Sequence, residues 1–184
     1  MTMVSARERV LAAIDVAALD PALDLIAQLR PYVGGFKVGL ELCNAAGVPQ
    51  VVQAVAQAGG RLFLDLKLHD IPNTVAGAVG AIGALGPAVH MLTIHTQGGA
   101  AMMRAAAEAA AAFGEQRPLL LGVTVLTSID QAALRAELGV AAPLADHVTR
   151  LAQLARDCGL DGVVCSPHEA AAVRRPLGSS EAGV

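Results

Sequence analysis

The chain has 184 residues, 54% of them hydrophobic and 16% charged, which is typical of a folded domain with a large apolar core and not of a disordered chain. Its net charge of −3, one tyrosine, three phenylalanines and absent tryptophan offer neither the basic surface nor the stacking side chains used to bind nucleic acid. We find no unbroken apolar stretch of about 18 residues and no targeting signal, so we expect no membrane association.

The cysteines bear on the redox compartment. Cys43, Cys158 and Cys165 are odd in number and form no C-x-x-C pair, so the sequence predicts neither a disulfide framework nor a zinc site. Unpaired cysteines fit a reducing compartment, and we expect a cytoplasmic protein. A chain of this length is expected to form a single domain over residues 1–184.

Short apolar runs alternate with alanine-rich amphipathic stretches, a pattern that indicates βα units around a parallel sheet. The glycines Gly59, Gly86, Gly114 and Gly159 directly follow predicted helices, where a left-handed residue commonly ends a helix. We predict six strands, at residues 10–16, 35–42, 61–68, 90–96, 119–126 and 162–166. We predict intervening helices at residues 21–30, 48–59, 73–85, 100–113 and 142–159.

Polar side chains cluster near the carboxyl ends of the predicted strands. In a (β/α)8 barrel, this rim carries the catalytic groups. A doubly wound open sheet is the alternative, but no G-x-G-x-x-G motif follows the first strand. We therefore predict an α/β fold of the TIM-barrel class, with about six of the eight βα units present in this chain. The rim residues are Asp15, Lys37, Asp65, Lys67, His95, Thr124, Thr127, Ser128 and Ser166.

The segment RLFLDLKLHDIPNT, residues 61–74, places charges within an otherwise apolar strand. Since side chains alternate between the faces of a strand, Asp65 and Lys67 project together, and the intervening leucines project toward the surrounding helices. The two charges are then expected in the barrel mouth, close enough to pair. Such an array can present a protonated lysine as a proton donor. The alternative is a buried ion pair whose two charges compensate each other and have no catalytic role.

This segment resembles the signature of the orotidine 5'-phosphate decarboxylase family, D-x-K-x-x-D-I-x-x-T, matched by Asp65, Lys67, Asp70, Ile71 and Thr74. Further matches follow in the order found in the family, and the resemblance covers roughly residues 8–173. They are AIDV with Asp15, FKVGLEL with Lys37, IHTQGGAAMM with His95, VTVLTS with Thr127, and GLDGVVCSPHEA.

The resemblance implies decarboxylation of orotidine 5'-monophosphate to UMP, the last step of de novo pyrimidine synthesis, with no cofactor and no metal. It implies that Lys67 protonates C6 of the pyrimidine as carbon dioxide leaves, and that Asp65 lies beside the substrate carboxylate. Lys37 would complete the charge network with Asp65. Asp70 would belong to the same catalytic set.

The resemblance also implies substrate contacts and a partner. Asp70 and Thr74 would reach across a homodimer interface into the site of the partner subunit. Asp15 corresponds to the aspartate that binds the ribose, and Thr127 lies in the loop that meets the base, where Ser128 is a second candidate for base contact.

Several of these residues have simpler interpretations. Asp15 could cap the helix that follows it, and Lys37 could extend from a rim to solvent. His95 could be a satisfied core histidine, and His69 is interpreted as structural.

The loop residues also have simpler interpretations. Thr127 and Ser128 could cap a helix beginning near IDQAAL. The two glycines of QGGAAMM are expected to form a tight turn and a helix start, with only a weak indication of an anion site.

The chain also departs from the family. The family would supply a seventh strand ending in a P-G-I-R-like motif and an eighth ending in a V-G-R-like motif, and neither is found. These strands carry the phosphate-binding groups in the family, so we expect much lower activity, exposed edges on the first and sixth strands, and a gap in the core. The final PLGSSEAGV, residues 176–184, is expected not to form a strand.

Two other functions stay open. A magnesium-dependent sugar-phosphate decarboxylase or synthase of the same superfamily shares the D-x-K-x-x-D array, and Glu41 is its candidate metal ligand near the end of the second strand. The other is an inactive fragment that only dimerises or binds a partner.

Overall fold

The computed structural model describes residues 5–177, in which six strands form one parallel sheet. The strands are β1 (Leu11–Ile14), β2 (Gly35–Gly39), β3 (Leu62–Leu68), β4 (Val89–His95), β5 (Leu119–Val123) and β6 (Gly162–Val164). They pair in chain order from β1 to β6. This sequential order belongs to a barrel wall, whereas a doubly wound sheet reverses its order. Six strands and a barrel-type sheet, as predicted, are confirmed.

Helices connect successive strands and follow the last one. They are α1 (Leu19–Leu29), α2 (Leu40–Ala46), α3 (Val48–Gln57), α4 (Pro72–Gly83), α5 (Gly99–Ala111), α6 (Gln131–Ala136), α7 (Leu144–Asp157) and α8 (Ala170–Leu177). The five predicted helices are confirmed with ends shifted by at most two residues, α6 is the helix that the alternative interpretation of Thr127 and Ser128 assumed, and α2 and α8 are additional. Among the helices of residues 5–177, none is both long and apolar enough to span a membrane.

The prediction of a strand over residues 35–42 is wrong after Gly39. The chain enters α2 at Leu40, and both Leu42 and Cys43 are buried. Two adjacent side chains can face one core from a helix, whereas in a strand they would point to opposite faces.

Other predicted boundaries also need correction. The first strand is shorter than predicted, and β5 and β6 end at Val123 and Val164 instead of residues 126 and 166. Pro176 and Leu177, placed in the irregular tail by the sequence, end α8; the rest of that tail lies outside the described residues.

The two faces of the sheet differ in what they contact. One row of directly paired residues crosses five strands and packs against the helices, each side chain at most 1% exposed. Its members are Ile14, Val38, Leu64, Leu92 and Leu120. On the opposite, inner face, Phe63, Met91 and Leu121 form a separate apolar cluster. Lys37 pairs with Phe63 in the register, so its charged side chain shares the inner face with this apolar cluster.

An ion pair joins the amino ends of β5 and β6. The Arg117 guanidinium donates to both carboxylate oxygens of Asp161, and the backbone N–H of Leu120 donates to the same carboxylate at 2.8 Å. This hydrogen-bonded carboxylate raises the pKa of Arg117 above its usual value. The pair therefore connects the start of one strand to the start of the next.

The predicted helix-ending glycines adopt the expected conformation. Gly59, Gly86, Gly114 and Gly159 have φ values of 72°, 99°, 57° and 84°. A side chain is strained in this left-handed region, so glycine suits these positions.

Candidate active site

Four charged side chains from three adjacent strands form a row at the carboxyl end of the sheet. The Lys67 ammonium donates to Asp65 Oδ2 at 2.8 Å, and Lys37 Nζ lies 3.8 Å from the same oxygen. Lys37 Nζ is also 3.7 Å from Asp15 Oδ1. Asp15 directly follows β1, and the register of β1, β2 and β3 brings these strand ends to one level. We call Asp15, Lys37, Asp65 and Lys67 the charged row.

The charged row is partly enclosed, with the outermost member open to solvent. The side chain of Asp65 is 16% exposed, whereas that of Asp15 is 72% exposed. Among residues 5–177, the Lys67 ammonium hydrogen-bonds to Asp65 alone. An ammonium has three N–H donors, so Lys67 keeps donors available for a bound molecule. The predicted pairing of Asp65 with Lys67 is confirmed.

A β-bulge shapes the backbone under the charged row. Leu64 pairs with Leu92 and Leu68 pairs with Ile94, so three residues of β3 stand opposite the single residue Thr93. Within the bulge, Lys67 has φ 51°. The Thr93 hydroxyl accepts the Lys67 backbone N–H at 2.9 Å and donates to Asp65 Oδ1 at 3.1 Å.

The sequence interpretation missed Thr93. A signal was available, because Thr93 is a hydroxyl residue at an inward position of an otherwise apolar strand, between Leu92 and Ile94.

Two histidines lie beside the charged row. The rings of His69 and His95 are 5.2 Å apart and tilted by 39°. Burial lowers the pKa of His95, and the nearby His69 and Lys67 charges lower it further, while Asp65 acts in the opposite direction. His95 is therefore held in its neutral form next to the lysine.

The residues expected at a dimer interface make no hydrogen bond or ion pair to the charged row within residues 5–177. Asp70 and Thr74 are exposed on the loop after β3 and the first turn of α4. Asp70 accepts the neighbouring Ile71 N–H at 2.6 Å, and no ion pair joins it to Lys67 within residues 5–177. Ile71 is 66% exposed. A role for Asp70 and Thr74 in a partner's site stays a prediction.

Thr127 and Ser128 form the middle of an exposed turn after β5, closed by the Ile129 N–H bonding to the Leu126 carbonyl. The alternative that they cap a helix is wrong, because Asp130 caps α6 by accepting the Ala133 N–H. Thr127 lines a cleft between this turn and the loop after β6.

Three simpler interpretations are also settled. Asp15 does not cap α1, whose N-cap residue is Ala18. Lys37 contacts two carboxylates instead of extending freely to solvent. The expected turn and helix start at the paired glycines are confirmed, since Gly98 is the N-cap of α5 and Gly99 has φ 82°.

Glu41, the candidate metal ligand, is exposed in the first turn of α2, beyond the end of β2. Across residues 5–177, no three side chains of the His, Cys, Asp and Glu types converge in a group that could hold a metal ion. The charged row supplies two carboxylates, each beside an ammonium, which is a poor donor set for a cation.

Comparison with known proteins extends over nearly the whole chain. A family model described as "Orotidine 5'-phosphate decarboxylase / HUMPS family" matches residues 8–181. The orotidine 5'-phosphate decarboxylase of Moorella thermoacetica is 49% identical over 182 residues, covering 97% of this chain and 71% of the relative. That of Alkalilimnicola ehrlichii is 52% identical over 170 residues, covering 92% and 70%. The solved orotidine 5'-phosphate decarboxylase of Lactobacillus acidophilus matches with a TM-score of 0.84 at 37% identity, covering 92% of this chain and 76% of that chain.

Proposed function

The chain belongs to the orotidine 5'-phosphate decarboxylase family, and on this premise we propose that it converts orotidine 5'-monophosphate to UMP and carbon dioxide. This reaction is a carbon–carbon lyase step of pyrimidine biosynthesis. The observation that carries the proposal is the Lys67 ammonium, held 2.8 Å from Asp65 with donors to spare at the rim of a barrel-type sheet. That rim is where enzymes of this fold perform their chemistry.

The proposed chemistry centres on Lys67. The bond from C6 to the carboxylate breaks, carbon dioxide leaves, and the electron pair stays on C6. This carbanion has no adjacent group that can delocalise the charge, so a fixed ammonium must face it as it forms. Lys67 then transfers a proton to C6 and recovers one from water, which gives UMP.

Asp65 and Lys37 support this step. The Asp65 carboxylate fixes the Lys67 ammonium and would lie beside the departing carboxylate of the substrate, which favours its loss. Lys37 lies between Asp65 and Asp15 and offsets the negative charge of both. The outermost position and high exposure of Asp15 make its carboxylate available to the ribose hydroxyls. We assign Thr127 and Ser128 to the loop over the base.

We also propose that the protein acts as a cytoplasmic homodimer in which Asp70 and Thr74 complete the partner's site. In a two-fold dimer, the same exposed segment of each subunit can reach the other's rim. The exposure of Asp70, Ile71 and Thr74 supports this arrangement, and the unused donors of Lys67 leave room for a partner's carboxylate. The three free cysteines support a reducing location.

The test of the function is an ultraviolet assay of orotidine 5'-monophosphate loss, with UMP formation measured by chromatography. We expect the purified 184-residue chain to form UMP, and the Lys67→Ala variant to form none above background. A chelator in the assay separates this function from a magnesium-dependent one, since activity should survive it. A folded chain that forms no more UMP than Lys67→Ala would contradict the proposal.

A mixing experiment tests the dimer. In Lys67→Ala and Asp70→Asn homodimers both sites are defective, but a mixed dimer has one site with intact Lys67 from one subunit and intact Asp70 from the other. Equal mixing after reversible dissociation should restore about a quarter of wild-type activity, because half of the dimers then carry one intact site. If Asp70 acts within its own subunit, mixing restores nothing.

A further inference from the structure

The charged row requires an irregular backbone. In a regular strand, Asp65 and Lys67 would project in parallel with their amides bonded to neighbouring strands. Here the ladder to β4 is interrupted between Leu64 and Leu68, and Lys67 lies in the left-handed region at φ 51°. Lys67 is the one non-glycine residue with positive φ among residues 5–177. A side chain in this conformation is strained, so its surroundings must hold it there.

Thr93 supplies what the interrupted ladder leaves out. Its hydroxyl accepts a hydrogen bond from the Lys67 N–H, which has no partner in the interrupted ladder to β4, and donates its O–H to Asp65 Oδ1. Thr93 is fully buried, so its hydroxyl bonds to these two groups instead of to solvent. Asp65 therefore accepts a hydrogen bond from the Thr93 hydroxyl on one carboxylate oxygen and from the Lys67 ammonium on the other.

We propose that Thr93 is the positioning residue of this site, holding the Lys67 backbone and the Asp65 carboxylate in register so that the ammonium faces the reacting carbon. The inference rests on the proposed decarboxylase function for its kinetic consequence. Thr93 touches neither substrate nor reacting atoms in this role, because it acts through Asp65 and Lys67. The Thr93 hydroxyl suits this role because one oxygen can accept from an amide and donate to a carboxylate at the same time.

Two substitutions separate the hydroxyl from the shape of the side chain. Thr93→Val keeps the branched shape but removes both hydrogen bonds, whereas Thr93→Ser keeps the hydroxyl. We expect Thr93→Val to lower kcat by about 100-fold, because a small displacement of a catalytic group has effects of this size. Its KM should change much less, and Thr93→Ser should stay within about tenfold of wild type.

Thr96→Val provides the matched control. Thr96 is equally buried, directly follows the same strand, and donates its hydroxyl to the Val123 carbonyl at 2.9 Å, away from Asp65 and Lys67. Thr96→Val removes this hydrogen bond and should lower thermal stability about as much as Thr93→Val does. The kcat of Thr96→Val should stay within about threefold of wild type. A purely structural role for Thr93 would make the two valine variants alike in kcat.

A structural readout keeps this inference separate from the proposed function. Amide hydrogen exchange of Lys67, followed by NMR, should be slow in wild type and Thr93→Ser and fast in Thr93→Val. If the protein fails to decarboxylate orotidine 5'-monophosphate but shows this exchange pattern, the function is wrong and the positioning role stands. Unchanged Lys67 exchange, or a Thr93→Val kcat equal to that of Thr96→Val in an active enzyme, would overturn the positioning role.

Discussion

Two ion pairs at opposite ends of the sheet are buried to the same degree but bonded differently. At the amino end, the side chains of Arg117 and Asp161 are 33% and 18% exposed; at the carboxyl end, those of Lys67 and Asp65 are 31% and 16% exposed. Arg117 binds both oxygens of its carboxylate, and a backbone amide adds a third hydrogen bond. Lys67 binds one oxygen of Asp65, which a second lysine also approaches, and the other oxygen accepts from the Thr93 hydroxyl.

The difference shows that burial does not distinguish a structural ion pair from a functional one. At the amino end, Arg117 grips both oxygens of Asp161 and a backbone amide adds a third bond, which suits a pair that connects two strands. At the carboxyl end, the Lys67 ammonium keeps unused donors, and a strained backbone holds it. The strained backbone of Lys67 and its position at the carboxyl end of the sheet therefore mark the functional pair.

The strongest test of the difference between the two ion pairs is to remove the cation from each. Lys67→Ala should lower kcat by at least about 1000-fold, since it removes both the charge facing the carbanion and its proton source. Arg117→Ala should leave kcat per folded molecule within about threefold, because it lies at the other end of the sheet. Steady-state kinetics on both variants, corrected for folded fraction by circular dichroism, checks this. If kcat fell equally in both variants, the two ion pairs would not differ in function.

Substituting Asp15 tests the outermost member of the charged row. Asp15→Asn should raise KM by about tenfold with a smaller change in kcat, since a lost ribose contact weakens binding of substrate and transition state alike. The high exposure of Asp15 means that stability should hardly change. Initial-rate kinetics and a thermal melt measure both effects. A fall in kcat with unchanged KM would instead place Asp15 in the chemical step.

The stability side of the comparison is tested at Asp161. Asp161→Asn leaves Arg117 without its carboxylate and weakens the bond to the Leu120 amide, so the free energy of unfolding should fall by about 1–2 kcal/mol. Urea unfolding of Asp161→Asn beside Asp65→Asn gives the contrast. Asp65→Asn should lose activity with the smaller stability change, and the reverse order would show that the carboxyl-end pair is the structural one.

The smallest effect concerns pH. Burial lowers the pKa values of His90, His95 and His147 below 6.5, with Arg61 acting further on His90 and Arg150 on His147. As pH falls, the unfolded chain therefore binds protons first. The contribution of these three histidines to stability is fully present above about pH 6.5 and is lost as pH falls through their pKa values in the folded protein. Thermal melts between about pH 8 and 5 should show this decline. His90→Gln should reduce the slope, and an unchanged slope would remove His90 from the explanation.

Much of the fold followed from the sequence because long-period patterns are robust. Alternation of apolar runs and amphipathic stretches predicted the six strands found in residues 5–177 and their parallel order. Local boundaries were less predictable. Leu40 and Leu42 alternate with Glu41 as in a strand, but Leu40 is half exposed while the adjacent Leu42 and Cys43 are buried, a pattern that only the helix accounts for.

The site was predictable where charge stands out against an apolar strand, as with Asp65 and Lys67. The sequence could not predict the bulge, because strand periodicity assumes one residue per position and Lys67 carries no signal for a left-handed backbone. Thr93 was recognisable as an inward hydroxyl residue, but its role depends on the bulge, which decides which residues of β3 stand opposite it.

The alternation of sign along the charged row also affects how a ligand arrives. Asp15, Lys37, Asp65 and Lys67 carry two negative and two positive charges at close spacing, so their combined field decays rapidly with distance. This row cannot draw an anionic nucleotide from bulk solvent, and association through it should be nearly insensitive to ionic strength. The charged row therefore selects a ligand only through direct contacts between its individual charges and individual ligand atoms.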